Sequence, residues 1–408
     1  MVETVVIGAG QAGLSLSRQL TTAGRAHVVL ERGRVGERWR SERWDSLRLL
    51  TPNWLNQLPG GPAVPDPDGY LHRAGVVDYL RSYAEGAPVH ERTTVVRVRR
   101  TPHGYHVATD VCDWHARNLV VATGDSDVPH IPGVAETAPP LLHQLHSAGY
   151  RRPASLPDGG VLVVGSGPSG QQIAAELRRA GRHVVLAVGR HTRMPRAYRG
   201  RDIFAWLAAT GRLDDHVDDV ANLVAARRAP SFPVSGAAGG ESLGLDRLAA
   251  LGVVVTGRLA GFTGHHAVFE PDLQRQSHDA DRRLRRTLAG IDAFIERADV
   301  AAAPADHPPP SSLGPGPRRL DLRGRVSTIL WATGYRRAYP WLDVPVLDAG
   351  GELVHREGVT AAPGLFALGL RFQRTRKSHF LGGVGDDAAL IADAIVTRGH
   401  EASLERAA

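Results

Sequence analysis

Two segments of this chain carry one pattern: Val5-Val6-Ile7-Gly8-Ala9-Gly10-Gln11-Ala12-Gly13 and Val161-Leu162-Val163-Val164-Gly165-Ser166-Gly167-Pro168-Ser169-Gly170. In each, a β-branched apolar run leads into G-x-G-x-x-G and then into a helical stretch, the context that marks a dinucleotide-binding βαβ unit. The first glycine permits the tight turn out of the strand, the second lets backbone N–H groups approach a pyrophosphate, and the third lets the helix sit close to the strand. The expected fold is α/β with two Rossmann-like dinucleotide-binding domains. Two nucleotide sites in one chain point to electrons passed between two cofactors.

In the first copy, Gln11 and Ala12 open a helix expected to run to about residue 23 and to stop at Gly24, its positive end facing the phosphates. The next strand ends at Glu31, where a carboxylate grips ribose hydroxyls, with Arg32 beside it. An adenosine diphosphate group is expected here. The alternative is a glycine turn in an unrelated α/β protein, which the strand, helix and acid together disfavour. The second copy aligns with the first through Ala180-Gly181-Arg182-His183-Val184-Val185-Leu186-Ala187, but Ala187 replaces the acid. Arg190, Arg193 and Arg196 follow, a set that suits a 2′-phosphate, because guanidinium pairs with phosphate through two parallel hydrogen bonds. NADPH is therefore expected over NADH, the alternative being that these arginines are ordinary surface charge. A third recurrence, Val120-Val121-Ala122-Thr123-Gly124 and Leu330-Trp331-Ala332-Thr333-Gly334, reads as two buried strands ending in small residues where the chain passes close to a nucleotide or the other domain.

The 408 residues allow two domains with large cores. The formal charge of +7 would ordinarily raise nucleic acid as a partner. Lys377 is the single lysine against 48 arginines scattered among Ala, Gly and Pro, so the charge reads as compositional, and no basic-aromatic stripe supports nucleic-acid binding. With Cys112 alone, an intramolecular disulfide and a C-x-x-C pair are both impossible. No histidine spacing resembles a metal site. No charged-then-apolar leader and no membrane-length apolar run is present, which leads us to expect a cytoplasmic protein without membrane contact.

The first unit is expected over 1–154 and 320–408, interrupted by a long loop over 36–70 and by an antiparallel excursion over 93–109. The second is expected over 155–319 with helical insertions near 202–209 and 282–296, so that one domain is inserted within the other. Residues 326–334 and 364–370 read as strands rejoining the first unit.

These motifs resemble the single-component flavin-dependent monooxygenases, the flavin-containing monooxygenases and their relatives, over nearly the whole chain. The resemblance implies FAD at Gly8, Gly10, Gln11, Ala12, Gly13, Glu31 and Arg32, with Arg38 and Trp39 of the Gly36-Glu37-Arg38-Trp39-Arg40 patch, Ala122, Thr123 and Gly124. Gly369 and Gly385 would serve the flavin, the latter at a helix start near Asp386 whose dipole faces the ring. NADPH is implied at Gly165, Ser166, Gly167, Pro168, Ser169 and Gly170, with Arg190, Arg193, Ala332, Thr333 and Gly334. His146-Ser147-Ala148-Gly149-Tyr150 keeps half of the family's motif between the fingerprints, Pro140 and Leu142 standing where an aromatic and a glycine are usual. Asn53 is the candidate catalytic residue, near the reactive edge of the flavin or bound NADP, with a turn-forming role as the alternative.

The implied activity is insertion of one oxygen atom from O₂ into a small molecule, by N- or S-oxygenation or Baeyer–Villiger chemistry, through a C4a-(hydro)peroxyflavin. NADP would shield that adduct from water. Two other readings stay open: an NADPH oxidase or diaphorase that reduces FAD without oxygenating anything, and a nucleotide-binding protein without turnover.

Overall fold

The computed structural model describes residues 1–237 and 240–407 of the chain. The strand Val2–Ile7 sends its residues alternately to two cores. Val6 meets the helices Gln11–Thr22 and Val384–Ala407, while Val5 and Ile7 meet the antiparallel excursion through Tyr105 and Val107. Because both faces are covered, the strand is apolar at successive positions rather than alternating with polar residues.

The parallel part of the first sheet runs, in spatial order, Leu365–Ala367, Asp113–Val121, Val2–Ile7, His27–Leu30 and Val89–His90. The excursion Val95–Thr101 and Gly104–Thr109 pairs antiparallel with the first half of Asp113–Val121, in the region where the sequence places it. The second sheet has five strands, all parallel: Val254–Thr256, Val184–Ala187, Gly160–Val164, Val326–Trp331 and His143–His146. Strand for strand it repeats the parallel part of the first.

Two strands lie in a different sheet from the one expected. Val326–Trp331 joins the second sheet, against Gly160–Val164, instead of rejoining the first unit. His143–His146, within the segment 1–154, forms the edge of that same second sheet. The reason is the glycine turn itself. Ala122 donates its N–H to Ile7 (2.9 Å) and Ala332 donates to Val164 (2.8 Å), so each Ala-Thr-Gly strand pairs with the strand of its own fingerprint. A cut at 154/155 and 319/320 therefore divides the second sheet. The insertion helix also starts earlier than its expected 282, at Leu273, because buried Leu273, Ala280, Leu284, Leu288, Ile291 and Ile295 continue one helical face.

The two segments that cross between the sheets pair with each other. Val128–Pro129 and Tyr335–Arg336 form an antiparallel ribbon, extended by the bond from the His130 N–H to the Gly334 carbonyl (2.9 Å) and by the Thr333 hydroxyl donating to the His130 carbonyl.

The glycines of each turn divide by what surrounds them. Gly8 and Gly165 both have φ +109, and their missing Cβ atoms would strike the carbonyls of Ala122 and Ala332. A Cβ on Gly13 or Gly170 would collide with the carbonyl oxygen of Gly8 or Gly165, whereas one on Gly10 or Gly167 would meet nothing within 4 Å. Gly170→Ala should therefore lower unfolding stability by about 1–3 kcal/mol. Gly167→Ala, at an ordinary φ of −69, should stay within about 0.5 kcal/mol of the parent. Urea denaturation of both variants checks the contrast.

Candidate functional site

A cavity of about 580 Å³ opens over the C-terminal ends of the first sheet. Its wall includes Glu31, Arg32, Thr93, Thr94 and Trp341, the turn residues Gly8, Gly10, Ala122, Thr123 and Gly124, and also Gln11, Leu50, Gly369 and His379. Ala12, Arg38 and Trp39 line it as well, so most of the expected first-site residues share one space. The Glu31 carboxylate accepts from the Ala9 N–H (2.8 Å) and the Gly33 N–H (2.9 Å), which fixes its direction. A carboxylate offers about four lone-pair positions, so it keeps capacity for a ribose diol. Arg38 and Arg32 both pair with Asp127, itself part of the cavity wall.

Three expected residues have other surroundings. Gly13 serves packing, as shown above. Gly385 abuts the Pro59 ring, and the helix start around it is occupied by the chain's own carboxylates: Asp387 binds Arg374 (3.1 Å) and Asp386 binds Lys377 (3.3 Å). Those acids already answer the helix dipole there. Asn53 is 5% exposed and its amide is spent on a neighbouring loop. It donates to the carbonyls of Pro65 (3.0 Å) and Asp66 (2.9 Å) and accepts from the Leu71 N–H (2.8 Å). Its amide thus clamps the segment 65–71 rather than forming a turn of its own, and Asn53 is not among the residues that line the cavity.

The second turn repeats the first without an acid. Pro168 occupies the first turn of Pro168–Arg179, where its missing N–H costs nothing, and Gln171 ties the turn by donating to the Ser166 carbonyl (2.7 Å). Ser169 follows in the same helical turn. Buried Ser166 Oγ at this turn and buried Thr123 Oγ1 at the first cavity have no hydrogen-bond partner among the described residues. Orphaned buried hydroxyls are costly; Thr123 lines the first cavity, and Ser166 directly precedes Gly167, where a Cβ would meet nothing within 4 Å. Together with the carboxylate at one site and its absence at the other, this fits two extended dinucleotides.

Of the expected cations, Arg190 is exposed beside this turn, but Arg193 is claimed by buried Asp281 (2.6 Å) and the Pro309 carbonyl (2.7 Å). Arg196 is buried against Asp202, the Leu50 carbonyl and the Tyr70 ring. Neither guanidinium is free in this arrangement. Two others were not singled out from the sequence. Arg258 reaches Gly189, at the end of the neighbouring parallel strand. Arg283 donates to the His191 carbonyl (2.6 Å) while its buried Nε has no partner. Burial first, and then the charge of Arg190, push the Arg283 pKa down, as expected for positive charge awaiting an anion. The overlooked signal is a repeat: Gly189-Arg190 and Gly257-Arg258 end adjacent strands with the same pair.

Besides Leu50, whose carbonyl accepts from Arg196, the cavity wall touches the second unit at Arg43. The Arg43 guanidinium lies over Trp39 (5.6 Å) and Tyr335 (5.4 Å) and donates to the Tyr335 hydroxyl (3.0 Å). His146 stacks edge-on against Tyr335, its Nε2 paired with the Gly334 carbonyl (2.9 Å) and its Nδ1 accepting from the Ala148 N–H (3.1 Å). These partners require the neutral Nε2–H tautomer. Tyr150 and Ser46 both donate to Glu176, joining the first unit's loop to the second unit's helix.

Burial, assisted by Arg43 and opposed by the Gly334 carbonyl, holds the His146 pKa below its ordinary value. As pH falls, the unfolded chain therefore takes up this proton first. Stability from His146 is complete above about pH 6.5 and declines below it until the folded residue also protonates. His146→Gln should flatten the fall of the denaturation midpoint between pH 7 and pH 5, measured at closely spaced pH values.

Residues 5–209 match the family described as pyridine nucleotide-disulphide oxidoreductase. The chain is similar to an uncharacterized CzcO-like oxidoreductase of Geobacillus kaustophilus, 31% identical over 402 residues that cover 97% of this chain and 99% of the relative. It is also similar to a probable indole-3-pyruvate monooxygenase, YUCCA8, of Arabidopsis thaliana, at 30% identity over 219 residues, 49% of this chain and 50% of that one. Among solved structures, the flavin-containing monooxygenase from Stenotrophomonas maltophilia superposes with a TM-score of 0.65 at 22% identity, covering 97% of this chain and 98% of its own. At that identity the last likeness is one of fold. Among the described residues, no helix is long and apolar enough to cross a membrane.

Proposed function

The chain belongs to the pyridine nucleotide-disulphide oxidoreductase family, and we propose that within it this protein is a monooxygenase that holds FAD in the first cavity and draws reducing power from NADPH at the second turn. The observation that carries the reading is the asymmetry of two otherwise repeated turns. Glu31 suits a ribose with free hydroxyls, whereas Arg190, Arg258 and Arg283 stand near the acid-free end of the second fingerprint unit, where a 2′-phosphate would lie. The similarity to a monooxygenase sequence over half the chain and the fold of a flavin-containing monooxygenase support oxygenation as the chemistry. So does the cysteine count: Cys112 is alone and exposed, so no dithiol within the chain takes electrons from the flavin.

Bound flavin supplies the hydride acceptor and the site of reaction with O₂. The protein's work is binding, orientation and exclusion of water. The N-terminus of Gln11–Thr22 and the bare Gly10 accommodate the pyrophosphate. Glu31 orients the adenosine end, and Trp39, Arg43 and Leu50 close the side facing the second unit. The substrate is a small molecule, oxygenated at nitrogen, sulfur or a carbonyl carbon.

The deciding experiment reduces the FAD-loaded protein anaerobically with NADPH and mixes it with oxygenated buffer while the flavin spectrum is followed. A transient band distinct from reduced and oxidised flavin, with little peroxide released, is the expected result. Direct return to oxidised flavin with stoichiometric peroxide would establish an oxidase instead. Arg258→Ala and Arg283→Ala should each raise KM for NADPH about tenfold or more while leaving KM for NADH nearly unchanged. Arg193→Ala should act chiefly on stability, by stranding Asp281.

A further inference from the structure

His379 lines the cavity on the Gln11 side of the glycine turn, whereas Glu31 is bonded to Ala9; the histidine takes no part in the account given so far. Its position is fixed from two sides. The Gln11 side chain, on the first residue of the fingerprint helix, donates to the His379 carbonyl at 2.7 Å. The ring meets Phe380 edge-on at 4.8 Å, and Phe380 in turn packs at 6.2 Å against Phe204 of the second unit's insertion. The imidazole is thus held where the first cavity approaches the second unit.

One of its two ring nitrogens is left without a protein partner among the described residues. His379 lines the cavity, and its Nδ1 is buried with no hydrogen-bond partner among the described residues. Burial, and then the charge of Arg371, drive its pKa down to about 3, so the ring is neutral at any working pH. A neutral imidazole presents one N–H donor and one nitrogen acceptor. A histidine of purely structural use at a buried position is ordinarily satisfied by its neighbours, as His146 is.

The direction of the dinucleotide decides what His379 meets. With the adenosine ribose at Glu31, which is bonded to Ala9, and the pyrophosphate at the Gly8–Gly10 turn, the remaining half of the molecule would extend past Gln11 and Ala12, which touch His379 and Gly369. We propose that His379 is a cofactor-contacting residue, a hydrogen-bond partner for the polar edge of the flavin ring system. This rests on the assignment of FAD to the first cavity. The contact would help determine how tightly the flavin is held and how its electrons are polarised. Because the partner is neutral, it would do so without placing a full charge beside the ring.

The test uses the full-length apoprotein titrated with FAD. His379→Phe keeps the ring packing and removes both nitrogens, and His379→Gln restores a polar group. His379→Phe should bind FAD about tenfold more weakly, with a displaced visible spectrum for the flavin that does bind, and His379→Gln should recover much of both. Thermal melting of the apoproteins and NADPH binding at the second turn report folding independently. Should the phenylalanine variant not fold, the wild-type protein with ¹⁵N-labelled histidine answers the same question. The His379 ring resonances, identified by their loss in His379→Gln, should move on addition of FAD. FAD uptake by wild type, with unaltered affinity and spectrum in His379→Phe or unmoved His379 resonances, would overturn this contact alone. Failure of wild type to take up FAD at all would overturn the cofactor assignment and the contact with it.

Discussion

The Ala122 carbonyl oxygen lies 2.6 Å from the point a Cβ on Gly8 would occupy, and the Ala332 carbonyl crosses Gly165 in the same way. Everything that makes either turn a nucleotide site depends on this crossing. It fixes the turn at a positive φ, which brings the next glycine and the helix N-terminus over the strand ends. It also dictates strand order, since a crossing this close requires the Ala-Thr-Gly strand to be the hydrogen-bonded neighbour of the fingerprint strand. One steric relation thus sets the local backbone and the sheet topology, twice in one chain.

On this repeated frame the two sites differ in electrostatics. At the first, a carboxylate oriented by two backbone N–H groups stands at the strand end, and the arginines nearby pair with Asp127. At the second, the strand end has no acid, and the charge of Arg283 is disfavoured by burial and by neighbouring Arg190, against the pull of Asp279. Such an arrangement stores unfavourable energy that an anionic ligand would relieve. Guanidiniums that already have a buried acid, as Arg193 has Asp281, contribute to the fold instead.

The parts of the site set by local sequence were legible. Gly8 to Gly13, Glu31, Gly165 to Gly170 and both Ala-Thr-Gly segments announce a strand, a tight turn and a helix in consecutive residues, although the carbonyls that cross Gly8 and Gly165 come from Ala122 and Ala332 far along the chain. What depended on distant partners was not legible. Asn53 follows a proline in a loop, and nothing near it announces that Pro65, Asp66 and Leu71 will consume its amide. Gly385 opens a helix as expected, yet Pro59 and two flanking acids decide what that helix start can do. Arg193 and Arg258 look alike in the sequence and differ only in whether a carboxylate lies across from them. The sheet membership of Val326–Trp331 was in principle readable, because its closing Ala-Thr-Gly repeats that of Asp113–Val121, which pairs with its own fingerprint strand.

The edge strand His143–His146 carries a consequence for how the chain is built. In the first unit the strand at this position, Leu365–Ala367, comes last in the sequence. In the second it comes first, ahead of Gly160–Val164. The two units therefore carry the same five-strand order with the strands in circularly permuted sequence order. An excised fragment spanning roughly residues 140–334 would contain a whole five-stranded module, whereas one cut at the apparent linker before Gly160 would lose a sheet edge and the His146 clamp on Gly334 with it.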